Sequence, residues 1–545
     1  MFYDIFISPF LLIFLTFVWI ICWSKKRFNV FGAKKLDMKI FSANQIKDID
    51  AYTVAHEPIL SIDLMERAAE VLFSAIIDIY PHAHRFVVFC GPGNNGGDGL
   101  AVARLLAHQG KSISVYLLCD PQQLSPDALI NYKRLIKVDG ITSDIIRSEE
   151  DLPLIGADDI VVDALFGSGL SRPLVDLPYK IVCHINDSHS DVVSIDIPSG
   201  LPGEESFGYS SKGIVRATRT LTLQFPKLSF LFPENEEFVG QFHILPIGLH
   251  PIALSSLPTP YRFITESDAS SLLPSRSLFG HKGTFGHLLL VAGSKGMMGA
   301  SVLAARGAYR AGAGLVTAHI PAGQGHVVHI SIPEVIVSED IDSSCFSALG
   351  SLAAFSAVAV GPGITTHPKA KAALWQLLKE VSVPLLLDAD AINIIAEERD
   401  MIALLPPNTI LTPHPKELSR LIGTWSSSYN RLEMQRAFAQ KYDVLLLCKG
   451  AFTSIALPSG ELYFNSTGNS GMATGGSGDV LSGIIGGLLA QGIKSSDAAI
   501  LGVYLHGLAG DIAALEMGQQ AIMASDLTNS LGKAWLTLSR LPLSK

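Results

Sequence analysis

The stretch NSTGNSGMATGGSGDVLSGIIGGLLAQ, from Asn465 to Gln491, decides the fold of the C-terminal half of this 545-residue chain. Five glycines lie within the eleven residues ahead of Asp479, and no charged residue interrupts them. Beyond the aspartate, large apolar residues recur at helical spacing, with Val480, Ile484 and Leu488 in one row. This spacing predicts a buried helix whose first turn carries Asp479.

A glycine-rich loop that opens a helix is typical of an anion-binding site. Glycine lets the backbone approach a ligand closely, and the unpaired N–H groups and dipole of the helix N-terminus favour an anion such as phosphate. Asp479 would then lie beside that anion as a base or a charge stabiliser. The alternative is that Asp479 caps the helix and the glycines serve packing, but the density of glycine favours a nucleotide site.

The composition is that of a globular protein with several domains. A chain of 545 residues is too long for one ordinary core, so we expect about two to four domains. Apolar residues make up 48% and charged residues 17%, and the net charge of −9 leaves no basic surface for nucleic acid. The six cysteines form no CxxC pair or Cys/His cluster, which indicates reduced core residues and neither a zinc site nor a disulfide framework.

The N-terminus carries a long apolar segment. Ile5 to Trp23 is nineteen residues without a charge, and the basic cluster Lys25 to Arg27 follows it. This pattern predicts a transmembrane helix with the rest of the chain in the cytoplasm. The alternative is a true start at Met38, with residues 1–37 a mis-assigned extension. In both cases we expect the remainder to be cytoplasmic.

Strands that end in polar or glycine-rich loops predict a first domain over residues 38–245. Phe86 to Cys90 is a predicted buried strand, followed by the glycine loop Gly91 to Gly99 and a helix. Strand, loop and helix in this order predict a doubly wound α/β domain, with the ligand at the carboxyl ends of its strands. Two later strands end at Asp163 and Asp196 in the same way.

Oxygen-bearing side chains are expected to meet at this edge of the sheet. Asp163 and Asp196 would face the same crevice as Asn94, Asn95 and Asp98. Oxygen ligands without His or Cys suit a hard cation, or a sugar and phosphate ligand. A single aspartate is more simply explained as a cap of the following helix, but three loops that converge on one edge favour a site.

A second α/β domain, residues 261–545, is predicted after a proline-rich linker, residues 246–260. Its strands also end in glycine-rich or polar loops. No GxxxxGK[ST] motif occurs, which excludes a P-loop enzyme. The strand ends are Gly293 to Gly296, Gly361 to Gly363, Leu387 to Asp390, Thr412 to Pro415 and Lys449 to Ala451.

Several of these motifs resemble known families. GPGNNGGDGL, VDALFGSGLSRP and SIDIPSGL resemble the YjeF N-terminal family, which epimerises the hydrates of NADH and NADPH. HKGTFGHLLLVAGS, LDADAIN, LTPHPKEL and NSGMATGGSGDVLSGIIGGLLAQG resemble ribokinase-like dehydratases, which return the S-hydrate to NAD(P)H at the expense of a nucleotide. The fused order resembles the bifunctional NAD(P)H-hydrate repair enzymes, from about Met38 almost to the C-terminus. The resemblance implies a Rossmann-like first domain and a ribokinase-like second domain.

For the first domain the resemblance implies a substrate site and a potassium site. Epimerisation needs ring opening or proton transfer at the hydroxyl-bearing carbon, and Asp196 is the expected acid/base. The implied potassium ligands are Asn95, Asp163 and Ser199. The family usually has threonine where this chain has Ser168. The implied substrate-binding residues are Asn94, Asn95, Gly96, Gly97, Asp98, Gly167, Ser168, Gly169, Leu170, Ser171, Arg172, Pro173 and Asp196.

For the second domain the resemblance implies that Asp479 takes the proton of the hydrate hydroxyl, while N–H groups of the glycine loop stabilise the transferring phosphoryl group. It implies Mg²⁺ with ADP or ATP, of which we expect ADP. The implied hydrate-binding residues are Gly363, His414, Pro415, Lys416, Glu417, Leu418, Ser419, Arg420 and Asp479. The implied nucleotide-binding residues are Lys449, Gly450, Ala451, Phe452, Thr453, Asn469, Ser470, Gly471, Met472, Ala473, Thr474, Gly475, Gly476, Ser477 and Gly478.

Two other functions are compatible with parts of the sequence. A ribokinase-like kinase acting on a small alcohol would explain Asp479, but it would leave a non-catalytic first domain. A first domain that is only a binding scaffold would not need the carboxylates Asp98, Asp163 and Asp196. We therefore expect the hydrates of NADH and NADPH and a nucleotide as partners, no nucleic acid, and a homo-oligomer.

Overall fold

The structure is a computed structural model that describes residues 38–170, 172–204 and 211–540. The predicted membrane segment, Ile5 to Trp23, lies outside the described residues, and so does Ser171 of the predicted substrate site. The described chain divides into two compact units. The first unit is residues 40–258, and the second is residues 259–540 together with the strand β1 (Met38–Lys39). The chain therefore contributes a strand to the second unit before it builds the first.

Within the described residues, the first unit forms a seven-stranded sheet in which every neighbouring pair is parallel. The order β4-β3-β2-β5-β6-β7-β8 reverses its direction of winding between β2 and β5, and such a reversal opens a crevice at the carboxyl ends of the strands. The strands are β2 (Arg85–Cys90), β3 (Ser112–Leu117), β4 (Thr142–Ile145), β5 (Ile160–Ala164), β6 (Asp191–Ile195), β7 (Arg219–Leu223) and β8 (Gln241–Leu245). The helices are α1 (Ala43–His56), α2 (Ser61–Ile79), α3 (Asn94–His108), α4 (Pro126–Leu135), α5 (Asp176–Asp187), α6 (Glu236–Val239) and α7 (Pro251–Ser256).

Runs of valine explain the central strands of the first unit. Val87 and Val88 in β2, and Val161 and Val162 in β5, are fully buried. Successive residues of a strand point to opposite faces of the sheet, so burial of both indicates that helices cover both faces, as is usual for a parallel sheet. The α/β fold with a parallel sheet, predicted from the sequence, is confirmed.

The proline-rich stretch 246–260, predicted to be a linker, packs into the first unit over most of its length. It contains α7, which buries two apolar side chains. The His250 N–H also donates a hydrogen bond to the Thr53 hydroxyl of α1 at 3.0 Å. The first unit therefore extends beyond residue 245, because buried apolar groups and a backbone hydrogen bond hold this stretch in place.

Within the described residues, the second unit forms an eleven-stranded mixed sheet. Its order is β1-β9-β18-β17-β16-β15-β14-β13-β10-β11-β12, parallel from β16 to β12, with a reversal of winding between β10 and β13. Its further strands are β9 (Tyr261–Phe263), β10 (His287–Val291), β11 (Leu315–Ile320), β12 (Ile336–Glu339), β13 (Ala357–Val360), β14 (Leu385–Leu387), β15 (Ile410–Leu411), β16 (Leu445–Cys448), β17 (Ser454–Ala456) and β18 (Leu462–Phe464). Its helices are α8 (Glu266–Ser271), α9 (Met298–Arg310), α10 (Gly325–Ser331), α11 (Pro368–Glu380), α12 (Ala389–Glu397), α13 (Pro415–Ile422), α14 (Ser428–Tyr442), α15 (Ser477–Ala490), α16 (Ser495–Met517) and α17 (Ala524–Ser539).

The helix predicted after the glycine loop forms as α15. Val480, Ile484 and Leu488 are fully buried, as their spacing predicts. Glycine lets α15 approach α9 closely, because a Cβ atom on Gly483 would overlap the carbonyl oxygen of Ala304. The glycines within α15 therefore serve packing, while those ahead of it form the loop.

We expect Gly483→Ala to destabilise the second unit by about 1–3 kcal/mol, because an overpacked contact forces backbone shifts. Urea denaturation compares the free energy of unfolding of the variant and the wild type. Gly299→Ala in α9 is the matched control, since a Cβ there would meet no atom within 4 Å. The control should keep or slightly raise stability, as alanine is a better helix former. Equal stability of the two variants would contradict the close packing of α9 and α15.

The helix α16 is the one helix among the described residues that is long and apolar enough to cross a membrane. Of its most apolar window, 72% is buried inside the unit. A helix that is apolar on all sides is expected in the centre of a large core. We therefore assign α16 to the core of the second unit, and the described residues give no support to a transmembrane helix.

Candidate active sites

The glycine loop after β2 forms one wall of the crevice in the first unit. Gly91 and Gly96 have no room for a side chain, since a Cβ at Gly91 would overlap the Leu165 carbonyl and one at Gly96 would overlap Gly91 itself. The Gly97 N–H already donates to the Gly93 carbonyl at 3.1 Å. These glycines bring the loop against the end of β5, and Gly93 faces open space.

Asp163, at the end of β5, is fully buried and holds two loops together. Its Oδ1 accepts from the Ser199 hydroxyl at 2.5 Å, and its Oδ2 accepts from the Ser199 N–H and the Ser194 hydroxyl at 2.8 Å each. Burial raises the pKa of Asp163, although these hydrogen bonds oppose the rise. Beside it, the Nδ2 of Asn95 is buried without a hydrogen-bond partner. The three predicted cation ligands therefore occur at the same edge of the sheet.

Asp196 follows β6 and makes an ion pair that the sequence did not predict. Its φ of +64° is unusual for a residue with a side chain, and such conformations cluster at functional sites. The Lys227 ammonium, only 2% exposed, donates to Asp196 Oδ1 at 2.7 Å and to the Thr222 hydroxyl at 3.0 Å. The Leu223 N–H donates to the same carboxylate oxygen at 3.2 Å. These contacts fix the orientation of the Asp196 carboxylate.

Two further carboxyl groups face Asp196. Burial raises the pKa of Asp50, on α1, to about 7; the Asp196 carboxylate adds to the rise and Lys227 opposes it. Burial also raises the pKa of Asp98 well above its ordinary value, and the nearby carboxylates Asp196 and Asp50 act in the same direction. The crevice thus contains carboxyl groups that can carry a proton near neutral pH, beside a buried ammonium.

The second predicted wall of this site follows β5. Gly167 lies against Asn95, because a Cβ there would be 3.5 Å from that of the asparagine. Gly169 faces Lys47 of α1, whose Nζ would be 3.7 Å from a Cβ at this position. Arg172 and Pro173 are exposed. The glycines of this wall therefore lie beside a predicted cation ligand and a basic side chain.

The second unit has its candidate site where α15 begins. Gly476 precedes the helix with a φ of +89°, the left-handed conformation that glycine adopts without strain. Burial raises the pKa of Asp479, in the first turn, to about 6; the Asp388 carboxylate adds to the rise and Lys449 opposes it. A carboxylate that titrates close to neutral pH is suited to accept a proton from a substrate.

An ion pair between Lys449 and Asp388 lies beside the N-terminus of α15. Lys449, which follows β16, donates to Asp388 Oδ1 at 2.8 Å, and the Ser482 hydroxyl of α15 donates to Asp388 Oδ2 at 2.6 Å. A Cβ at Gly478 would lie 3.4 Å from Lys449 Nζ. Burial acts to lower the pKa of Lys449, but Asp388, with smaller contributions from Glu417 and Asp479, raises the pKa overall. The ammonium is therefore charged at neutral pH.

The glycine loop is held from α16. Asp511 accepts from the Gly468 N–H at 3.0 Å and from the Asn469 amide at 2.9 Å. The Nε2 of His506 lies 3.0 Å from the Ser477 carbonyl, and burial lowers the pKa of His506 to about 4. A neutral imidazole can donate its Nε2–H to that carbonyl, so both ends of the loop are tied to one helix.

The segment His414 to Arg420 forms a capped helix start beside this site. The His414 ring is half-exposed, and its Nδ1 accepts from the Lys416 N–H at 3.1 Å. Glu417 is buried and accepts from the His414 N–H at 2.8 Å. Leu418 is fully buried in the core, and Arg420 lies in the last turn of α13, where it donates to Asn393 at 2.7 Å. The exposed residues of this segment are His414 to Lys416 at its start and Arg420 at its end, and these are accessible to a ligand.

The remaining predicted positions of the second unit lie in loops at the same edge. Gly363 has a φ of +67°, and a Cβ there would lie 3.3 Å from Ala300 of α9. After Lys449 the chain makes a tight turn, in which the Gly450 N–H donates to the Thr453 hydroxyl at 3.3 Å. Within the described residues, no three His, Cys, Asp or Glu side chains are grouped so as to hold a metal ion.

Comparison with known proteins matches both units. Residues 61–229 match a family model described as YjeF-related protein N-terminus, and residues 288–533 match one described as NAD(P)H-hydrate dehydratase. A bifunctional NAD(P)H-hydrate repair enzyme of Moorella thermoacetica is 38% identical over 511 residues, which is 91% of this chain and 96% of the relative. The chain belongs to the bifunctional NAD(P)H-hydrate repair enzymes. The family and the two activities predicted from the motifs are confirmed.

Other members of the bifunctional NAD(P)H-hydrate repair enzymes are similarly related. The enzyme of Thermofilum pendens is 36% identical over 513 residues, covering 91% of this chain and 96% of its own length. A solved structure of the ADP/ATP-dependent NAD(P)H-hydrate dehydratase from Bacillus subtilis, co-crystallised with ATP and Mg²⁺, is 30% identical and covers 51% of this chain and 98% of its own. Its TM-score is 0.45.

Several polar residues of this repair enzyme escaped the sequence analysis. Asp388 lies inside the motif LDADAIN, but no role follows from its spacing alone. Lys227 is a lone charge in the apolar run Gln224 to Phe232, which is a signal for a buried and paired lysine. Asp50 and Asp511 lie on ordinary-looking helices, and no local pattern distinguishes them from surface aspartates.

Proposed function

We propose that each unit performs one step of nicotinamide-cofactor repair. The first unit interconverts the R- and S-hydrates of NADH and NADPH, and the second removes the hydroxyl of the S-hydrate with a phosphoryl group taken from ADP or ATP. The observation that supports this assignment is that each unit, built on its own sheet, contains a distinctive carboxylate. In the first unit Lys227 fixes the orientation of Asp196, and in the second unit the pKa of Asp479 is raised.

In the first unit we assign acid/base chemistry to Asp196. Its carboxylate exchanges a proton at the hydroxyl-bearing part of the ring, so that ring opening and closure invert the configuration. Lys227 holds that carboxylate in one orientation through a 2.7 Å ion pair. Burial raises the pKa of Asp98 and so favours its protonated form, and a protonated carboxyl can donate a hydrogen bond to the substrate. The loops Asn94 to Asp98 and Gly167 to Pro173 enclose the hydrate.

We assign a potassium ion to Asn95, Asp163 and Ser199. The donor set fits a hard cation, since it consists of amide, carboxylate and hydroxyl oxygens. Two of these groups already lie together, because the Asp163 carboxylate accepts from the Ser199 hydroxyl at 2.5 Å. The buried Nδ2 of Asn95 has no partner and is available to donate to a ligand oxygen. When bound, the ion would add positive charge to a crevice that is rich in carboxylates and order its loops.

In the second unit we assign the role of general base to Asp479. Asp479 takes the proton of the hydrate hydroxyl. The hydroxyl oxygen then bonds to the terminal phosphorus of the nucleotide, and the bond from that phosphorus to the bridging oxygen breaks, which releases AMP from ADP or ADP from ATP. The C–O bond of the phosphorylated hydroxyl then breaks, and phosphate departs with the bonding electron pair. A proton passes from the adjacent carbon to water, and the C–H electron pair forms the dihydropyridine double bond. Gly363 and His414 to Arg420 contact the hydrate, while Lys449 to Thr453 and Asn469 to Gly478 contact the nucleotide.

Mg²⁺ is expected to enter with the nucleotide, and its charge would screen the phosphates. The hydrogen-bond donors that the protein offers to the nucleotide phosphates are the backbone N–H groups at the start of α15 and the Lys449 ammonium. We propose ADP as the phosphoryl donor and a homo-oligomer as the working state. We place both units in the cytoplasm, because the five cysteines in the described residues are all free, as is usual in a reducing compartment.

The test is recovery of reduced-nicotinamide absorbance from a mixture of R- and S-hydrates, with ADP or ATP and Mg²⁺. We expect complete recovery in buffer containing KCl, and a slower recovery of the R fraction when NaCl replaces KCl. Absence of recovery with either nucleotide would contradict the repair function. Accumulation of a stable phosphorylated product would instead support a kinase whose first unit only binds ligand.

A further inference from the structure

The Lys449 ammonium is paired with the buried Asp388 carboxylate, and its side chain is partly exposed. Asp388 is its one hydrogen-bond partner among the described residues, at 2.8 Å. An ammonium has three N–H donors, so two of them have no partner in the described protein. The Lys449 side chain is 21% exposed, whereas Asp388 is 2% exposed. The carboxylate therefore holds the ammonium from a buried position, while the lysine side chain keeps partial access to solvent.

The Lys449 ammonium lies against the start of α15. Gly478 has no side chain, and a Cβ at this position would lie 3.4 Å from Lys449 Nζ and 4.0 Å from Asp388 Oδ2. The ammonium thus lies directly against the first turn, where helix N–H groups attract an anion. Ser482, one turn further along, donates to Asp388 at 2.6 Å and ties the ion pair to the same helix.

Lys449 lies among charged groups from both the predicted hydrate-binding and the predicted nucleotide-binding segments. The groups facing it are Asp388 and Asp479, Glu417 at the start of α13, and the neutral His506 on α16. Asp479 is faced by Asp388, Asp390 and Lys449, so Lys449 is the cation among its neighbours in the described structure. An incoming phosphoryl group, which is anionic, would otherwise meet mainly carboxylates.

We propose that Lys449 is a catalytic residue for phosphoryl transfer, and that Asp388 and Ser482 are its positioning residues. The inference rests on the proposed dehydratase reaction. As the phosphorus moves from the nucleotide oxygen to the hydrate oxygen, negative charge spreads over its three remaining oxygens. The two free N–H donors of Lys449 hydrogen-bond those oxygens opposite Asp479, which takes the hydroxyl proton. Lys449 forms no covalent bond in this step and transfers no proton; it supplies only positive charge and hydrogen bonds.

This role differs from ordinary nucleotide binding in its kinetic effect. A contact that is equally strong in the ground state and the transition state changes KM, whereas one that strengthens in the transition state changes kcat. We expect Lys449→Met to lower kcat of dehydration about 10²–10³-fold, with the nucleotide KM changed less than about threefold. We expect Asp388→Asn to lower kcat about tenfold or more, because the ammonium is no longer fixed.

The pH profile separates a positioning role from a structural one. Lys449 lowers the pKa of Asp479 and Asp388 raises it. The acidic limb of dehydration, near pH 6 in the wild type, should therefore move to higher pH in Lys449→Met and to lower pH in Asp388→Asn. Lys371→Met is the matched control, since it removes a 2.9 Å ion pair with Glu398 elsewhere in the same unit. The control should leave kcat, KM and the limb unchanged.

The experiment uses the full chain, S-hydrate, and ADP or ATP with Mg²⁺, and urea denaturation reports whether the second unit of each variant is folded. A wild-type kcat in Lys449→Met with only a raised KM would overturn the proposal. If Lys449→Met does not fold, the near-isosteric Asp388→Asn decides, and an unchanged kcat and acidic limb would overturn the proposal. Failure of the wild type to dehydrate the S-hydrate would instead reject the dehydratase function itself.

Discussion

Asp479→Asn is expected to abolish dehydration of the S-hydrate while epimerisation continues. The amide cannot accept the hydroxyl proton, and loss of a general base typically lowers the rate about 10²–10⁴-fold. The same carboxyl predicts the pH dependence of the wild type. Because the pKa of Asp479 is raised to about 6, kcat/KM should fall about tenfold per pH unit below that value and level off above it. Absorbance at the reduced-nicotinamide band measures both effects.

The control for Asp479→Asn is Asp497→Asn, which changes the first-turn aspartate of α16 and should leave dehydration intact. Stability provides a second check. A carboxyl whose pKa is raised on folding binds its proton more tightly in the folded state, so stability falls as pH rises from about 4 to about 6. Above that window, Asp479→Asn removes an unfavourable charge, and its Tm at pH 8 should equal or exceed that of the wild type. Retained dehydration in Asp479→Asn would rule out the carboxylate as the base.

Asp196→Asn is expected to stop epimerisation and leave dehydration of the S-hydrate unaffected. A mixture of hydrates should then show fast recovery of the S fraction only, because R-hydrate no longer converts. We expect a loss of about 10²–10⁴-fold in epimerisation, as for removal of an acid/base group. The Lys227 ammonium also loses its charged partner and stays buried, which adds to the disturbance of the site. Stereospecific chromatography of the two hydrates measures the conversion directly.

The matched control is Asp191→Asn at the opposite end of β6. It changes an exposed aspartate on the same strand, far from the carboxyl ends, and should leave epimerisation at the wild-type rate. Full recovery of both hydrates at the wild-type rate by Asp196→Asn would show that another group, such as Asp50 or Asp98, carries the proton. Loss of activity in Asp191→Asn as well would indicate a general effect on the fold.

The family and the α/β fold were predictable from the sequence, and the catalytic roles of Asp196 and Asp479 remain predictions. The glycine loops are local motifs, so they can be recognised in the sequence before the residues that hold them are known. The buried strands follow from runs such as Val87 and Val88, and the core face of α15 from the spacing of Val480, Ile484 and Leu488. The prolines of 246–260 predicted a linker, and within this stretch Leu249, Ala253 and Leu254 are buried.

The partners of the catalytic groups were not predictable. Asp196 and Lys227 are 31 positions apart, Lys449 and Asp388 are 61 apart, and Ser482 and Asp388 are 94 apart. Each pair depends on which strands lie side by side. No local sequence pattern predicts a strand order such as β16-β15-β14. A lone lysine or aspartate looks the same in the sequence whether it is solvated or buried against its counter-charge.

The sequence by itself determined what depends on nearby residues: the strand-loop-helix units, the glycines that let backbone approach a ligand, and the position of Asp479 in the first turn of a buried helix. The tertiary structure alone decided what depends on distant residues: the pKa of Asp479, the ion pairs of Lys227 and Lys449, and the attachment of the glycine loop to α16. The physical reason is that burial and Coulomb interactions act through space, so a charge acquires its chemistry only when the fold supplies its neighbours.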